Sequence, residues 1–251
     1  MTSMKKIVFM LFMAVAVTTA FGQTKILADS AYVNNDFAKA AELYESILNN
    51  EGESADIYYN LGNSYYKMDN IAKAILNYER ALLLNPADND IQFNLELAQS
   101  KTIDKVVPMS EFFFVTWTKS LTNIMSERGW AQTGIITFII ALVALAVYFF
   151  NKRIVLKKIG FISAIAFLFF CILANIFAST QKADLQNHSN AIIMAPSITV
   201  KSTPNDNGTE LFILHEGRKV IIKDNTMKEW KEIQLEDGNA GWVPAQAIEI
   251  I

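Results

Sequence analysis

Cysteine and histidine are scarce in this 251-residue chain, and their scarcity excludes several kinds of site. Cys171 is the single cysteine, so neither an intrachain disulfide nor a redox-active cysteine pair can form. His188 and His215 are the only histidines, and they form neither an H-E-x-x-H motif nor a Cys-His metal set. No glycine-rich phosphate-binding loop precedes a helix. The sequence therefore predicts no metal and no other cofactor, and it predicts that the chain is not an enzyme.

Charge is missing from two long apolar runs. Residues 130–150 and 159–179 contain no Asp, Glu, Lys or Arg. At a rise of about 1.5 Å per residue, each run of about 20 residues covers the roughly 30 Å hydrocarbon core of a bilayer. We therefore predict two transmembrane helices, because a core helix of a soluble protein usually carries a polar stripe. Asn175, a strongly polar residue within the second run, is expected to hydrogen-bond to a neighbouring helix.

The loop between these runs, residues 151–158, is basic although the chain has a formal net charge of −3. Its four basic residues are Lys152, Arg153, Lys157 and Lys158, and it contains no acid. By the positive-inside rule, these four residues determine the topology and place the loop in the cytoplasm. Both ends of the chain are then expected on the other side of the membrane.

The N-terminus gives a second indication of this orientation. A basic start with Lys5 and Lys6, an apolar stretch, and small residues near Gly22 predict a cleavable secretory signal over residues 1–22. An uncleaved anchor is the alternative, although an apolar stretch of about a dozen residues is short for a span. Under either interpretation the segment that follows is exported.

The segment between the signal and the first apolar run repeats itself at an offset of 34 residues, as Tyr44 and Tyr78 illustrate. The second copy, ADIYYNLGNSYYKMDNIAKAILNYERALLLNP, resembles the tetratricopeptide repeat, with Gly62 at the point where two antiparallel helices approach. The first copy matches that pattern less well, as terminal repeats often do. Residues 88–101 suit a capping helix. We therefore predict two repeats plus a cap over residues 24–101.

This resemblance implies a concave groove, lined by the first helix of each repeat, that holds a protein partner. We assign the lining residues by their positions within the repeat pattern and call them the concave set. They are Tyr32, Tyr59, Asn60, Asn63, Tyr66 and Asn94. Tyrosine and asparagine suit recognition because they combine contact area with hydrogen-bonding ends. The alternative is that about half of the tyrosines only pack between helices. The basic cluster with which some family members bind a free C-terminus is matched only by Lys25 and the asparagines.

Residues 102–129 connect the repeats to the first apolar run. Within them Phe113, Trp117, Leu121 and Ile124 recur at helical spacing. A helix that bears Phe and Trp just before a span is typical of the membrane interface, with the lipid bilayer as its partner. The same face would equally suit docking onto the repeat module, and no sequence feature separates the two interpretations.

After a polar linker at residues 180–190, residues 191–251 form short β-branched runs separated by turn dipeptides such as Glu216-Gly217. The predicted strands are Ile198–Lys201, Leu211–Leu214, Lys219–Lys223 and Trp230–Leu235. Short strands with tight turns at this length predict a small barrel. The VKSTP, HEGRKV and GWVPAQAIEII segments resemble the bacterial SH3 domain, which implies an aromatic surface for a peptide or for the cell wall. Trp230 and Trp242 are the candidates for that surface, although core packing is the favoured interpretation of both.

The order of these segments resembles the BatE-type members of the Bacteroides aerotolerance (Bat) operon family over essentially the full chain. LGNSYYKMDNIAKAILNYERALLLNP, LHEG and DGNAGWVPA carry the resemblance together with the hairpin. It implies a multi-pass protein of the bacterial inner membrane with both flanking modules in the periplasm. It also implies partners, namely von Willebrand A-domain membrane proteins and a MoxR-type ATPase, and a role in stress tolerance or envelope integrity.

The expected fold is thus a multidomain membrane protein with an all-α tetratricopeptide solenoid, a two-helix transmembrane hairpin and an all-β SH3-like barrel. The expected function is a non-enzymatic scaffold that presents two binding modules to the periplasm. A sensor of cell-wall or oxidative stress is one alternative, and a tether that binds peptidoglycan is another. The flanking modules carry more acid than base, which argues against nucleic acid as a partner.

Overall fold

The computed structural model describes residues 23–105 and 112–251. The signal predicted over residues 1–22 lies outside the described residues. The chain divides into two units, of which the first combines most of the N-terminal helices with the C-terminal strands. The second unit contains the long apolar helices.

The N-terminal region is helical and repeats its turns as well as its helices. Its helices are α1 (23–33), α2 (Phe37–Glu51), α3 (Ala55–Lys67), α4 (Ile71–Leu84) and α5 (Asn89–Ser100). The turn from α1 to α2 places Asn35 at φ 63°, and the turn from α3 to α4 places Asp69 at φ 61°. These two positions are 34 residues apart, and Asn and Asp tolerate the left-handed conformation better than most residues. The period found in the sequence is therefore also a period of the backbone.

Close packing of α3 against α4 explains the glycine of the second repeat. A Cβ atom on Gly62 would lie 2.7 Å from two ring carbons of Tyr78 and 3.3 Å from the carbonyl oxygen of Ala74. Both Tyr78 and Ala74 are fully buried. A larger residue at position 62 would force the two helices apart, as the sequence pattern indicates.

Two long helices form the second unit with a shorter one. They are α6 (Phe113–Thr122), α7 (Glu127–Phe150) and α8 (Ile154–Gln186). By length and composition, α7 and α8 could each span a membrane, with a mean hydropathy of 2.5. The 33 residues of α8 extend for about 50 Å, which exceeds the hydrocarbon core alone. Residues 180–186, expected in a linker, continue this helix because no glycine or proline interrupts it.

Small residues bring α7 and α8 together. A Cβ atom on Gly160 would lie 2.8 Å from the carbonyl oxygen of Ala144, and one on Gly134 would lie 3.0 Å from Nδ2 of Asn175. Nδ2 of Asn175 donates to the carbonyl oxygen of Cys171 at 2.8 Å, within its own helix. The expected hydrogen bond from Asn175 to the neighbouring helix is therefore wrong, and the glycine opposite provides space for the amide instead.

The C-terminal strands form one antiparallel sheet of seven strands in the order β3-β2-β6-β5-β4-β1-β7. The strands are β1 (Asn190–Ile193), β2 (Ser197–Lys201), β3 (Glu210–His215), β4 (Lys219–Asp224), β5 (Trp230–Gln234), β6 (Ala240–Pro244) and β7 (Ile248–Ile250). The four predicted strands are β2 to β5, displaced by one residue at most at either end. Strands β3 and β7 lie at the two edges, so the strand pairing does not close a barrel.

Candidate functional site

Part of the concave set forms a hydrogen-bonded network between α3, α4 and α5. Nδ2 of Asn94 donates to Oη of Tyr59 at 2.9 Å and to Oδ1 of Asn63 at 3.0 Å. Oη of Tyr78 donates to the same Oδ1 of Asn63 at 2.7 Å. Sequence reasoning did not assign Tyr78 to this network. Three of the six expected groove residues are thus brought together, and they satisfy one another.

The remaining three residues of the concave set lie outside this network. Tyr32 packs edge-on against Phe37, with ring centroids 5.3 Å apart. Nζ of Lys101 lies 4.2 Å from the ring centroid of Tyr66, which is a cation–π contact. Asn60 contributes its backbone carbonyl to Oγ of Ser64. All six side chains are partly exposed, so each can still be reached from solvent.

The phenols of Tyr78 and Tyr32 suit hydrogen bonding and not acid–base chemistry. Burial raises the pKa of Tyr78, and the neighbouring tyrosines raise it further. Burial likewise raises the pKa of Tyr32. Both phenols therefore stay protonated at neutral pH and act as neutral hydrogen-bonding groups. Within residues 23–105 and 112–251, no group of three or more His, Cys, Asp or Glu is arranged to hold a metal ion.

Helix α6 exposes the aromatic residues that the sequence singled out. Phe113 is 74% exposed and Trp117 is 55% exposed. The C-terminal end of α6 is held by α8, because Nε2 of Gln181 donates to the carbonyl oxygens of Thr122 at 2.8 Å and Met125 at 2.7 Å. Phe113 and Trp117, nearer the start of α6, remain exposed in this arrangement.

The basic connection between α7 and α8 is shorter than expected. Only residues 151–153 are non-helical, so Lys152 and Arg153 lie in the connection. Lys157 and Lys158 belong to the start of α8. The four cations still cluster at one end of the helical hairpin.

Neither tryptophan of the sheet fills its core. The buried core is formed by aliphatic residues, namely Ala191, Ile193, Val200, Leu214, Val220, Ile222, Ile233, Leu235 and Val243. Trp242 pairs with Glu232, and Trp230 pairs with Pro244, on the face opposite to Ile233 and Val243. The favoured interpretation of core packing is therefore wrong, since both tryptophans are only partly buried and lie on the face of the sheet away from this aliphatic core.

Polar contacts join the N-terminal helices to the C-terminal sheet within the first unit, at what we call the junction. Nζ of Lys219 donates to Oε2 of Glu79 at 2.6 Å. Nη2 of Arg80 donates to Oε1 of Glu249 at 3.2 Å and to the carbonyl oxygen of Ile250 at 2.6 Å. Glu79 is only 7% exposed, so its partner matters more than that of a surface carboxylate.

Asp104 makes a third contact at the junction. Its Oδ2 accepts the backbone N–H of His215 at 2.7 Å, and its Oδ1 lies 2.8 Å from Nδ1 of the same histidine. Gly217 follows in a left-handed turn at φ 82°, where a Cβ atom would lie 2.8 Å from Cγ2 of Thr102 and 2.9 Å from Cδ1 of Ile75. Nothing in the sequence signals these contacts, because their members are more than 100 residues apart.

A polar cleft of about 270 Å³ lies at the junction. We call it the junction cleft, and its lining residues come from α2, α3, α4 and β7. They are Glu45, Leu48, Asn49, Tyr58, Leu61, Tyr65, Lys73, Leu76, Asn77, Arg80 and Glu249. None belongs to the concave set. Helix α3 therefore presents one face with Tyr59 and Asn63 to the network, and another face with Tyr58 and Tyr65 to the cleft.

Comparison with known proteins identifies one of these features. Residues 55–88 match the tetratricopeptide repeat family. The match covers α3, the turn and α4, which confirms the stronger of the two predicted repeats. This repeat is a non-catalytic motif for protein–protein interaction. No curated protein matches the chain.

Proposed function

We propose that the chain is a non-enzymatic membrane scaffold that presents a repeat module and a small β module on one side of the bilayer. The junction is the observation that carries this proposal. Glu79 and Arg80 precede both candidate spans in sequence, and their partners on β4 and β7 follow both spans. Two crossings return the chain to the same side, so a transmembrane hairpin is compatible with these contacts and a single crossing is not.

The orientation rests on the basic connection between α7 and α8. Four cations at that end of the hairpin favour the cytoplasmic side, and this supports a periplasmic position of the repeats and the sheet at a bacterial inner membrane. The exposed aromatic face of α6 supports contact with the membrane interface, because Phe and Trp side chains favour the headgroup region.

The partners follow from the tetratricopeptide repeat and from the resemblance to the Bat operon family. The concave set would bind a segment of a von Willebrand A-domain membrane protein, in an assembly that a MoxR-type ATPase accompanies. The β module would act as an SH3-like domain, with Trp230 and Trp242 on its ligand surface. Their half-exposed position on the face opposite to the core supports that role. Stress tolerance or envelope integrity would be the outcome of the assembly.

The test is a mild-crosslink affinity purification from native membranes, comparing the intact chain with a Tyr59→Ala, Asn63→Ala, Tyr66→Ala variant. Loss of the von Willebrand A-domain proteins from the variant is the expected result. Asn50→Ala is the matched control, since Asn50 is an exposed amide that bonds only within α2. Because Asn63 and Tyr59 also bond to Asn94, equal resistance to proteolysis must be shown first. A partner set that is unchanged in the folded triple variant contradicts the proposal.

A further inference from the structure

Two polar side chains of α4 line the junction cleft, and each could bond to a further partner. Asn77 is 3% exposed, and its Nδ2 donates to the carbonyl oxygen of Lys73 at 2.8 Å. Its Oδ1 is buried and has no hydrogen-bond partner among the described residues. A buried amide oxygen without a donor costs about 1–3 kcal/mol, so a bound donor would recover this cost.

Lys73 is the second such group. Its Nζ donates to Oη of Tyr65 at 3.2 Å and lies 4.7 Å from the centroid of that ring. Tyr65 in turn donates to Glu45. Within the described part of the chain Lys73 has no carboxylate partner, whereas the other cation of the cleft, Arg80, is paired with Glu249. Lys73 thus offers an ammonium group that a carboxylate could bind.

The separation of Lys73 and Asn77 limits the kind of ligand that can bond to both. Lys73 and Asn77 are four residues apart on one helix, which places their Cβ atoms about 5–6 Å from each other. A ligand that satisfies both needs a carboxylate and an N–H donor at a comparable separation. A dipeptide meets this requirement, since its two Cα atoms are about 3.8 Å apart and a terminal group lies beyond each.

The size and charge of the cleft agree with such a ligand. Its volume of about 270 Å³ is just below the roughly 300–1,000 Å³ of pockets for drug-sized ligands. The lining carries two cations, Lys73 and Arg80, and two carboxylates, Glu45 and Glu249. A lining with both signs of charge complements a ligand that also carries both signs.

We propose that the junction cleft binds a small zwitterion of dipeptide size, with its carboxylate on Nζ of Lys73 and its amino group on Oδ1 of Asn77. This site goes beyond the scaffold function, because it shares no residue with the concave set. Since its walls come from both the repeat helices and β7, the bound ligand would also tighten the junction.

The first experiment is calorimetric titration of the full chain in detergent micelles with Ala-Ala, Ala-Glu, Ala-Lys and Ala-Leu, each also as its C-terminal amide. We expect one or more free dipeptides to bind with a stoichiometry of one, and the corresponding amide to bind at least about tenfold more weakly, because a charge-assisted bond is lost. A pentapeptide that ends in the same dipeptide should bind more weakly than the free dipeptide. Failure of the whole panel, equal binding of the amide, or tighter binding of the pentapeptide overturns the proposal.

Variants then locate the site. Lys73→Gln should weaken binding at least about tenfold, whereas Lys39→Gln should leave it unchanged, since Lys39 occupies the equivalent position of the first repeat and pairs with exposed Glu42. Asn77→Leu should abolish binding without lowering the urea midpoint, because it removes an unsatisfied oxygen. Asn50→Leu removes the same kind of bond within α2 and is its control. Unchanged affinity in Lys73→Gln and Asn77→Leu would overturn the assignment to this cleft, whatever partners the concave set binds.

Discussion

The junction and the hairpin each bring together parts of the chain that are separate in sequence. They do so with opposite kinds of side chain. The junction uses long charged residues such as Glu79, Arg80 and Lys219, which meet through the ends of their side chains. The hairpin uses small residues: Gly160 lies against the backbone of α7, and Gly134 lies against the side chain of Asn175. Lipid provides little hydrophobic drive between helices, so association there depends on close fit. The difference indicates that each surface suits the solvent predicted for it.

The two surfaces should therefore fail in different ways. A hairpin held by close fit should fail when a side chain is inserted at Gly160, because the neighbours there are backbone atoms that cannot move aside. A junction held by pairs of charges fails when one partner is removed and the other remains buried. The first two changes below each test one of these two surfaces, and the third compares the hairpin with a partly buried ion pair of the repeat helices.

The largest effect is expected from Gly160→Leu. The new side chain would meet the backbone of Ala144 and Tyr148, since even a Cβ atom lies 2.8 Å and 3.0 Å from their carbonyl oxygen and amide nitrogen. We expect the unfolding free energy of the hairpin to fall by about 3 kcal/mol. The measurement is an SDS titration of the full chain, read by the fluorescence of Trp130, which packs 4.9 Å from Phe177.

Ala166→Leu is the control for this change, because Ala166 lies on the same helix with an exposed side chain. It should change the SDS midpoint little. If Ala166→Leu and Gly160→Leu lower the midpoint equally, then close fit between α7 and α8 is not what holds the hairpin.

A smaller effect is expected from Lys219→Met. The substitution leaves the carboxylate of Glu79 buried without its 2.6 Å partner, which should lower the unfolding free energy of the unit that contains the repeats by about 2 kcal/mol. Pulse proteolysis across a urea series measures this change. Adding Glu79→Leu should restore most of the lost stability, because the orphaned charge is then removed.

Lys39→Met serves as the reference for an exposed pair. Its partner Glu42 is 69% exposed at the side chain, so the expected loss is at most about 0.5 kcal/mol. Equal losses in Lys39→Met and Lys219→Met would contradict the role given to burial at the junction.

The smallest effect concerns acid sensitivity. Burial acts to raise the pKa of Asp29, but hydrogen bonds from Tyr44 and Lys25 outweigh it and hold that pKa below its ordinary value of 3.8. The stabilisation that this carboxylate provides is therefore present above about pH 4 and is lost as the pH falls through its folded pKa. Tyr44→Phe should raise the pKa of Asp29, measured by NMR titration of its carboxyl carbon. An unchanged pKa would show that the bond from Tyr44, 2.7 Å long, does not stabilise the charge.

In contrast, the stability of the hairpin should not change as the pH is lowered. Gly134, Gly160 and the alanines packed between α7 and α8 carry no titratable side chain. The SDS midpoint of the hairpin should therefore stay constant between pH 5 and pH 3, the range in which ordinary carboxyl groups titrate. A hairpin that weakens over this range would show that titratable groups also hold α7 and α8 together.

The sequence predicted features whose signals are local. The spacing around Gly62 and Tyr78 indicated a repeat that the family match confirms. The absence of charge from 130–150 and 159–179 indicated two helices long and apolar enough to span a membrane. Turn dipeptides indicated β2 to β5, whose strands are bounded by residues such as Gly217 that require unusual backbone angles.

Features that depend on distant partners were not predictable in this way. Strand β7 has three residues and exists because it pairs with β1, which precedes it by more than 50 residues. The junction cleft combines Lys73 with Glu249, and neither position carries a motif. The two tryptophans were misplaced because their assignment to the core rested on the resemblance to a small barrel, and not on a local signal that says which face of a strand is buried.

The distance in sequence between Arg80 and Ile250 has a consequence for synthesis. A ribosome adds about 5–20 residues per second, so the 170 positions between them take roughly 10–30 s to appear. During that interval the repeat helices exist without their strand partners, and Glu79 lacks Lys219. Strands β4 and β7 therefore complete a surface that the repeat helices began, and the junction forms only after both strands have been synthesised and have met those helices on the same side of the membrane.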